Sequence, residues 1–414
     1  MKKILMLLAL IVAFGCKKQN ATPQNNMEKD VVYLADDKLE GRQTGTEGEI
    51  LAAKYIGQRF KEMDVAPKGT DGYIQSFNFK PKTDPHKDVE FSKDEDGYIS
   101  GRNVIGYIDN NAKTTVVIGA HYDHLGHGGD GSLYRGEEKQ IHNGADDNAS
   151  GVAIMLDLAN RLKVKNTTAD KKDLNNYLFI AFSGEEMGLI GSNYFVKNPT
   201  LDIKSINYMI NMDMVGRLKQ DSTLAVYGVG TSPMFKQVLQ SHNNSFKLVQ
   251  KESGVGPSDQ TSFYLNDIPV LHFFTGQHED YHKPSDDSEK LNYEGMEMIS
   301  NYLYDIISDL DDNSKLAFRT TKNESEEVPR FKVGLGVIPD YLFDGKGMRI
   351  DGVSEDKPAK KAGLQKGDIV IKLGDSAVTD MMSYMKALSI FDEGDTTKVV
   401  VDRSGESLEF DLQF

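Results

Sequence analysis

Three short apolar runs in this chain each lead into a residue able to bind a metal. TTVVIGA runs into His121, NYLFIAFSG into Glu185 and Glu186, and INYMINM into Asp213. Runs of this length, rich in β-branched and aromatic residues, read as buried strands. In open α/β sheets ligands bind just beyond the carboxyl ends of the strands. Three separate strands therefore deliver an imidazole or a carboxylate to one edge. Asp146 in NGADDNASG and His282 in DYHKPSDD complete the set. Two imidazoles and three carboxylates are a mixed nitrogen and oxygen ligand set, which suits zinc and can serve a two-metal hydrolytic site.

The local patterns support that placement. Asp146 stands before SGVAIMLDLANRLK, where Val152, Leu156, Ala159 and Leu162 share one helical face, and a helix N-terminus favours a carboxylate. Asp147 reads as a helix cap or as part of a kink beside it. Asp123 follows His121 by two residues, a spacing that returns to the same side of a strand and could orient the imidazole. Glu185 and Glu186 are adjacent, so they point apart; one can bind metal while the other takes a proton from an activated water. His124, His127, His142, His272 and His278 read as structural or exposed, with His127 and His142 near the rim. Asp286 and Asp287 read as turn residues. Ser258-Asp259 reads equally as a helix cap or as a substrate contact. Further strands are predicted at YIQSFNF, NVIGYID, LAVYGVG and PVLHFF, and helices at MEKDVVYLADDKLEGR and EGEILAAKYIGQRFKEM. Strands alternating with helices predict an α/β fold whose mixed sheet is covered on both faces.

GAHYDHLG, GADDNASGVA, FSGEEMGLIGS, NMDMVG and YHKPSDD, in this order, resemble the co-catalytic di-zinc exopeptidases. That group includes bacterial secreted aminopeptidases, glutamate carboxypeptidase and the glutaminyl cyclases. The resemblance runs from EGRQTGT to about residue 310 and implies a mixed, roughly eight-stranded sheet between helices. It implies two zinc ions, with Asp146 bridging both. His121 and Asp213 would complete one site, and Glu186 and His282 the other. Glu185 would be the general base and Asp123 the carboxylate behind His121. Aminopeptidase action is the leading expectation. A single-zinc glutaminyl cyclase or a carboxypeptidase would keep the same fold.

The remainder has a different texture. A polar, acidic stretch after about residue 310 predicts a linker over 313–328, closing a domain over 28–312. Residues 329–414 carry GLGV (Gly334, Leu335, Gly336 and Val337) and AGLQKGDIVIKLG. They resemble a PDZ domain of the bacterial periplasmic-protease type, a small α+β fold. A glycine-bearing loop of this kind can receive a terminal carboxylate, with the peptide added beside a helix near Thr379 to Phe391. An adaptor working through this module alone is the reading from another class; its mark would be a lost ligand or base.

At the other end, Met1-Lys2-Lys3 and the apolar run Ile4 to Phe14 suit an export signal, too short to span a bilayer. Cys16, the one cysteine, follows Gly15 as in a bacterial lipoprotein signal spanning 1–16. That implies lipid attachment at Cys16, a polar tether over 17–27, and a periplasmic or cell-surface enzyme anchored to a membrane. The net charge of −15 argues against a nucleic-acid partner, since phosphates would repel it.

Overall fold

The computed structural model describes residues 26–414 except 82–88, 93–96, 130, 169–174, 312–313, 323–331, 341–342, 344 and 355–356. The signal, Cys16 and most of the tether lie outside the described residues. The last two positions assigned to the tether are already helical, and Met27 is buried in the core.

The large domain is built on ten strands: β1 (Ala66–Pro67), β2 (Ile74–Lys80), β3 (Glu90–Ser92), β4 (Ile99–Ile108), β5 (Thr115–His121), β6 (Asn176–Phe182), β7 (Ile206–Met212), β8 (Thr223–Tyr227), β9 (Lys247–Gln250) and β10 (Val270–Phe274). Their order is β3-β2-β4-β6-β5-β7-β10-β8-β9, with β1 paired to β4. β5 runs parallel to β6 and β7, and β7 parallel to β10, while β4 and β8 pair antiparallel to their inner neighbours. The sheet is therefore mixed, as expected. The two strands beyond eight are short edge pieces, β1 and β3, too short to leave an apolar pattern.

β5, β6 and β7 are buried at every position, which is why they read as unbroken apolar runs rather than alternating ones. The helix Gly151–Thr168 is likewise buried around most of its first three turns, from Val152 to Ala159. The first predicted helix is shorter than its pattern. It spans Asn26–Leu34, and the chain then turns through left-handed Glu40 (φ 47°) and Gly41 (φ 68°).

The helix Tyr293–Asp311 closes the domain, with Met296, Ile299, Leu303 and Ile306 in the core. The expected linker start at 313 is too early. Leu316 is buried with its N–H on Asn207 Oδ1 (2.7 Å), Arg319 N–H reaches Thr231 O (2.8 Å), and Thr321 N–H reaches the Tyr264 hydroxyl (2.9 Å). A polar segment can pack when its backbone groups find partners, and composition alone hid that here.

The C-terminal module has strands β11 (Val337–Pro339), β12 (Met348–Val353), β13 (Ile369–Leu373), β14 (Ser376–Ala377), β15 (Thr396–Arg403) and β16 (Glu406–Gln413) around its own apolar cluster. Their order is β11-β12-β13-β15-β16, with β14 on β13, so β11 is an edge strand. The predicted helix is Met381–Leu388, capped by Asp380. The module also meets the large domain. An ion pair crosses between them, Lys219 Nζ to Asp351 Oδ2 at 3.3 Å.

Candidate metal centre

Register lines up the ends of the central strands. His121 on β5 lies opposite Phe182 on β6, and Gly119 opposite Asn211 on β7. One step further, Tyr122 N–H bonds to Phe182 O at 2.9 Å, so the chain leaves β5 beside Gly184 and Glu185. Asp213 leaves β7 with its N–H toward Phe273 O of β10. The imidazole and carboxylates predicted for this edge do meet there.

Asp147, not Asp146, joins them. Asp147 Oδ1 lies 3.3 Å from His121 Nε2, which is itself 3.3 Å from Asp213 Oδ1. Asp147 Oδ2 lies 3.2 Å from His282 Nε2, which is 3.2 Å from Glu186 Oε2. Asp147 thus turns one oxygen to each half of the cluster. Asp146 faces the other way: Gly216 N–H donates to its Oδ1 at 2.6 Å, and His278 Nε2 lies 3.1 Å from its Oδ2. The expectation that Asp146 sits between the two halves is corrected on these contacts. The chain enters the helix through a kink. Asp147 has φ −106° and ψ 88°, and its peptide bond to Asn148 is cis.

Asp286 holds this kink. Its Oδ2 accepts the N–H groups of Asp146 (2.9 Å) and Asp147 (3.1 Å), and burial, helped by the Asp146 charge, lifts it to about 6. Asn148 ties the kink to β7, donating to Met212 O (3.0 Å) and accepting from Met214 N–H (3.2 Å).

The spacing fits a metal. Donor atoms held tetrahedrally about 2.0–2.1 Å from zinc lie about 3.3 Å from one another. The four contacts above are 3.2–3.3 Å, longer than an ordinary charge-assisted hydrogen bond. His121 Nε2 is buried without a hydrogen bond. Both imidazoles are turned so that Nε2 faces the centre. His121 Nδ1 lies 3.2 Å from Asp123 O, and His282 Nδ1 lies 2.8 Å from Gly131 O. Donation from Nδ1 leaves the lone pair on Nε2. Tyr281 stacks on His282 at 3.8 Å between ring centroids. His124, read as structural, also lies here, but its Nδ1 is 2.7 Å from Glu186 Oε1 and 3.9 Å from Asp147 Oδ2. Those distances describe a hydrogen bond that steadies Glu186, whereas His282 is evenly spaced between both carboxylates.

Charge explains the titration of the cluster. Burial disfavours the charged form of each group, yet their mutual attraction wins for several. Against burial and the Asp147 charge, His282 and His124 hold Glu186 down at about 2. Against burial, Glu186 and Asp147 hold His282 up at about 11. Glu185 goes the other way: burial, with the charges of Asp213, Glu186 and Asp259, lifts it well above the usual carboxylate range.

Asp123 lies behind His121, but chiefly through its backbone carbonyl; its Oδ1 is 3.7 Å from Nδ1. The carboxylate instead accepts from the Glu185 N–H (3.1 Å) and the Thr44 hydroxyl (3.0 Å), and so couples the His121 strand to the Glu185 turn. Asp259 is fully buried, and burial lifts it to about 7. It makes no side-chain cap bond to its helix, and its burial leaves neither sequence reading supported.

Arg42, the last residue of the first predicted helix, was missed. Its buried guanidinium donates to Tyr122 O (2.7 Å), Asn143 O (2.7 Å), Gly144 O (3.0 Å) and Leu34 O. It pins the chain beside His121 to the chain before Asp147. Burial pushes it down to about 10, so it stays charged. The available signal was an arginine within a glycine-rich turn that offers no surface role.

Comparison with known proteins follows this geometry. Residues 103–307 match Peptidase family M28, and residues 303–414 match a PDZ domain. The two matches meet inside the helix Tyr293–Asp311, whose core contacts assign it to the first. Among curated relatives, the alkaline phosphatase isozyme conversion protein of Escherichia coli is 32% identical over 177 residues, covering 42% of this chain and 46% of that one. Aminopeptidase YwaD of Bacillus subtilis is 29% identical over 193 residues, 44% of this chain and 38% of that one. The chain thus spans less than half the length of these relatives. Among solved structures, LapA aminopeptidase of Legionella pneumophila superposes with a TM-score of 0.53 at 20% identity, covering 70% of this chain and 72% of that one. Porphyromonas gingivalis glutaminyl cyclase gives 0.53 at 17% identity, covering 69% and 97%. At these identities the likeness establishes the fold and leaves the reaction open.

Proposed function

We propose that the protein is a di-zinc exopeptidase acting as an aminopeptidase. The observation that carries this is Asp147, whose two oxygens each sit at ligand spacing from a separate imidazole. Asp147 would bridge, with His121 and Asp213 on one side and His282 and Glu186 on the other. Zinc, when bound, supplies Lewis acidity and an activated water. The chain supplies the rest. Glu185 takes a proton from the attacking water and returns it to the leaving amine, the role of a general base and acid. Asp123 fixes the Glu185 backbone, and Arg42 and Asp286 hold the two loops that carry His121 and Asp147.

A single-zinc cyclase is the second reading, favoured only by the shared fold. Two ligand groups joined through Asp147, His121 with Asp213 and His282 with Glu186, support two metals. Zinc content by elemental analysis, with hydrolysis of an aminoacyl-anilide panel, tests the proposal. One zinc per chain with cyclisation of N-terminal Gln and no hydrolysis would reverse the choice.

The small module supports peptide capture as part of the same proposal. Gly336 has φ +73°, which favours glycine, and β11 is an edge strand whose Val337 packs on the same apolar cluster as the helix Met381–Leu388. The lipoprotein-type sequence ending at Cys16 supports a lipid-anchored, exported enzyme; Cys16→Ser should then leave the membrane fraction, and unchanged partitioning would remove that element.

A further inference from the structure

The two domains line an open cleft of about 770 Å³. Its catalytic-side wall is the Leu133–Gly136 loop with Glu279 and Lys283; its other wall runs from β12 through the helix Pro358–Ala362 to Lys366. The catalytic-side wall is continuous with the cluster. Leu133 N–H bonds to His282 O at 2.9 Å, and Lys283 follows His282 directly.

The charge of this cleft opposes that of the chain. Arg135, Lys283, Lys360 and Lys366 line it against Glu279 and Asp351, on a protein of net charge −15. Asp351 is already paired, to Lys219 at 3.3 Å and Lys366 at 3.2 Å. Among the described residues, Lys283 Nζ rests on the Glu279 carbonyl and Arg135 on the carbonyls of Ser132 and Tyr134, neutral acceptors rather than carboxylates. A concave, cationic wall between low-dielectric domains concentrates anions.

We propose that this cleft is a substrate subsite for the anionic end of a peptide, either its terminal carboxylate or an acidic side chain, while the N-terminus lies at the metal centre. The inference rests on the aminopeptidase reading and deepens it. The C-terminal module thereby helps choose substrates through its β12 and Pro358–Ala362 face, not only through its glycine loop. The occupant is the substrate itself because the cleft wall is tied to the cluster: Lys283 directly follows His282, and Leu133 N–H bonds to the His282 carbonyl. Free carboxylate and acidic side chain share one chemistry, and peptides carrying only one of them tell them apart.

The full-length zinc-loaded enzyme is assayed on a length series of Leu-initiated peptides, each as free acid, as C-terminal amide, and as amide with one internal Glu, alongside a neutral leucyl-anilide. Above some length the anionic peptides should exceed the plain amide in kcat/KM by about tenfold, and salt should erode that gap. Arg135→Glu and Lys360→Glu, one on each wall, should each remove the gap and leave the anilide rate unchanged. Arg135 lies outside the PDZ module, so its effect cannot come from the glycine loop. Equal rates for acid and amide at every length, or a gap that survives both variants, overturns the proposal. Failure of wild type to cleave even the anilide would count against the aminopeptidase reading. In that event, affinity for the same peptides, measured by calorimetry in wild type and both variants, decides the cleft by the same criterion.

Discussion

Arg42 in the large domain is buried and donates to four carbonyls from three separate segments. Arg403 in the small domain grips Asp368 with two bonds, 2.7 and 2.8 Å, and its side chain stays 27% exposed. The contrast holds more widely. The edge formed by β5, β6 and β7 is packed with buried carboxylates, imidazoles and amides that fix one another. The small domain keeps a mostly apolar cluster and turns most of its charge to water. Chemistry at a metal needs side-chain atoms held to a fraction of an ångström, and buried, mutually bonded groups provide that. Recognition at a strand edge uses backbone groups, which any sequence carries, so β11 needs only an unpaired edge and one left-handed glycine.

The sharpest way to break the contrast is at Asp147. Asp147→Ala removes the carboxylate shared by both halves of the cluster. Zinc content should fall at both sites and hydrolysis should drop to background; loss of only one metal would place the bridge elsewhere. Glu185→Gln should cost about 10²–10⁴-fold in kcat while zinc content stays at the wild-type level. If the variant loses zinc, or keeps more than about a tenth of the rate, the proton-transfer role assigned to Glu185 is wrong.

The buried network also predicts a pH response that the small domain lacks. His272 lies beside Asn211 (3.1 Å), and burial pushes it down to about 4. Its ordinary value is about 6.5. Below that pH the unfolded chain binds a proton that the native state refuses until pH falls to its depressed value. The stability contribution is thus complete above pH 6.5 and is lost as pH falls toward 4, by about 3 kcal/mol. Denaturant unfolding across that window should show a shallower pH slope in His272→Gln by about one proton; identical slopes would mean His272 titrates normally.

Asp146→Asn tests the outer layer. Asp146 touches Gly216 and His278 rather than the facing imidazoles, so zinc should remain at both sites. Loss of an orienting partner typically costs about 10–100-fold in activity or metal affinity. A complete loss of both metals would return the bridge to Asp146.

Legibility in the sequence follows the same division. The strands that carry the site were readable because burial on both faces makes them unbroken apolar runs, and His121, Glu186, Asp213 and His282 were readable because each directly follows such a run or a marked turn. Asp146 against Asp147 was not. Both fit the letters DD, and the choice depends on a backbone kink that no periodicity reports. Arg42 and Asp286 were missed because they act on backbone groups distant in sequence, and a residue's type says nothing about which carbonyl or N–H it will meet. β9 (KLVQ) is too short and too polar to stand out. In the small domain, strands and glycine loop were readable, but its contact with the catalytic side was not, because Lys219 and Asp351 look like any surface pair.

The last and smallest effect concerns that contact. Leu373 is fully buried in the small domain's core, and Leu373→Ala should destabilise that domain by about 2–5 kcal/mol. No candidate ligand and no residue that positions one belongs to the small domain. Hydrolysis of a neutral aminoacyl-anilide should therefore change by less than about twofold, roughly 0.4 kcal/mol in the barrier. Among the described residues the ion pair that crosses between domains, Lys219 to Asp351, is partly exposed, and pairs of that kind contribute at most about 1 kcal/mol, too little to reshape a site fixed by Arg42, Asp123 and Asp286. Calorimetry resolving two transitions, with only the small domain's lowered, would match this account. A tenfold fall in the anilide rate, about 1.4 kcal/mol, would show instead that the small domain braces the Leu133–Gly136 and Glu279–Lys283 loops, and through Leu133 N–H and His282 O the metal centre itself.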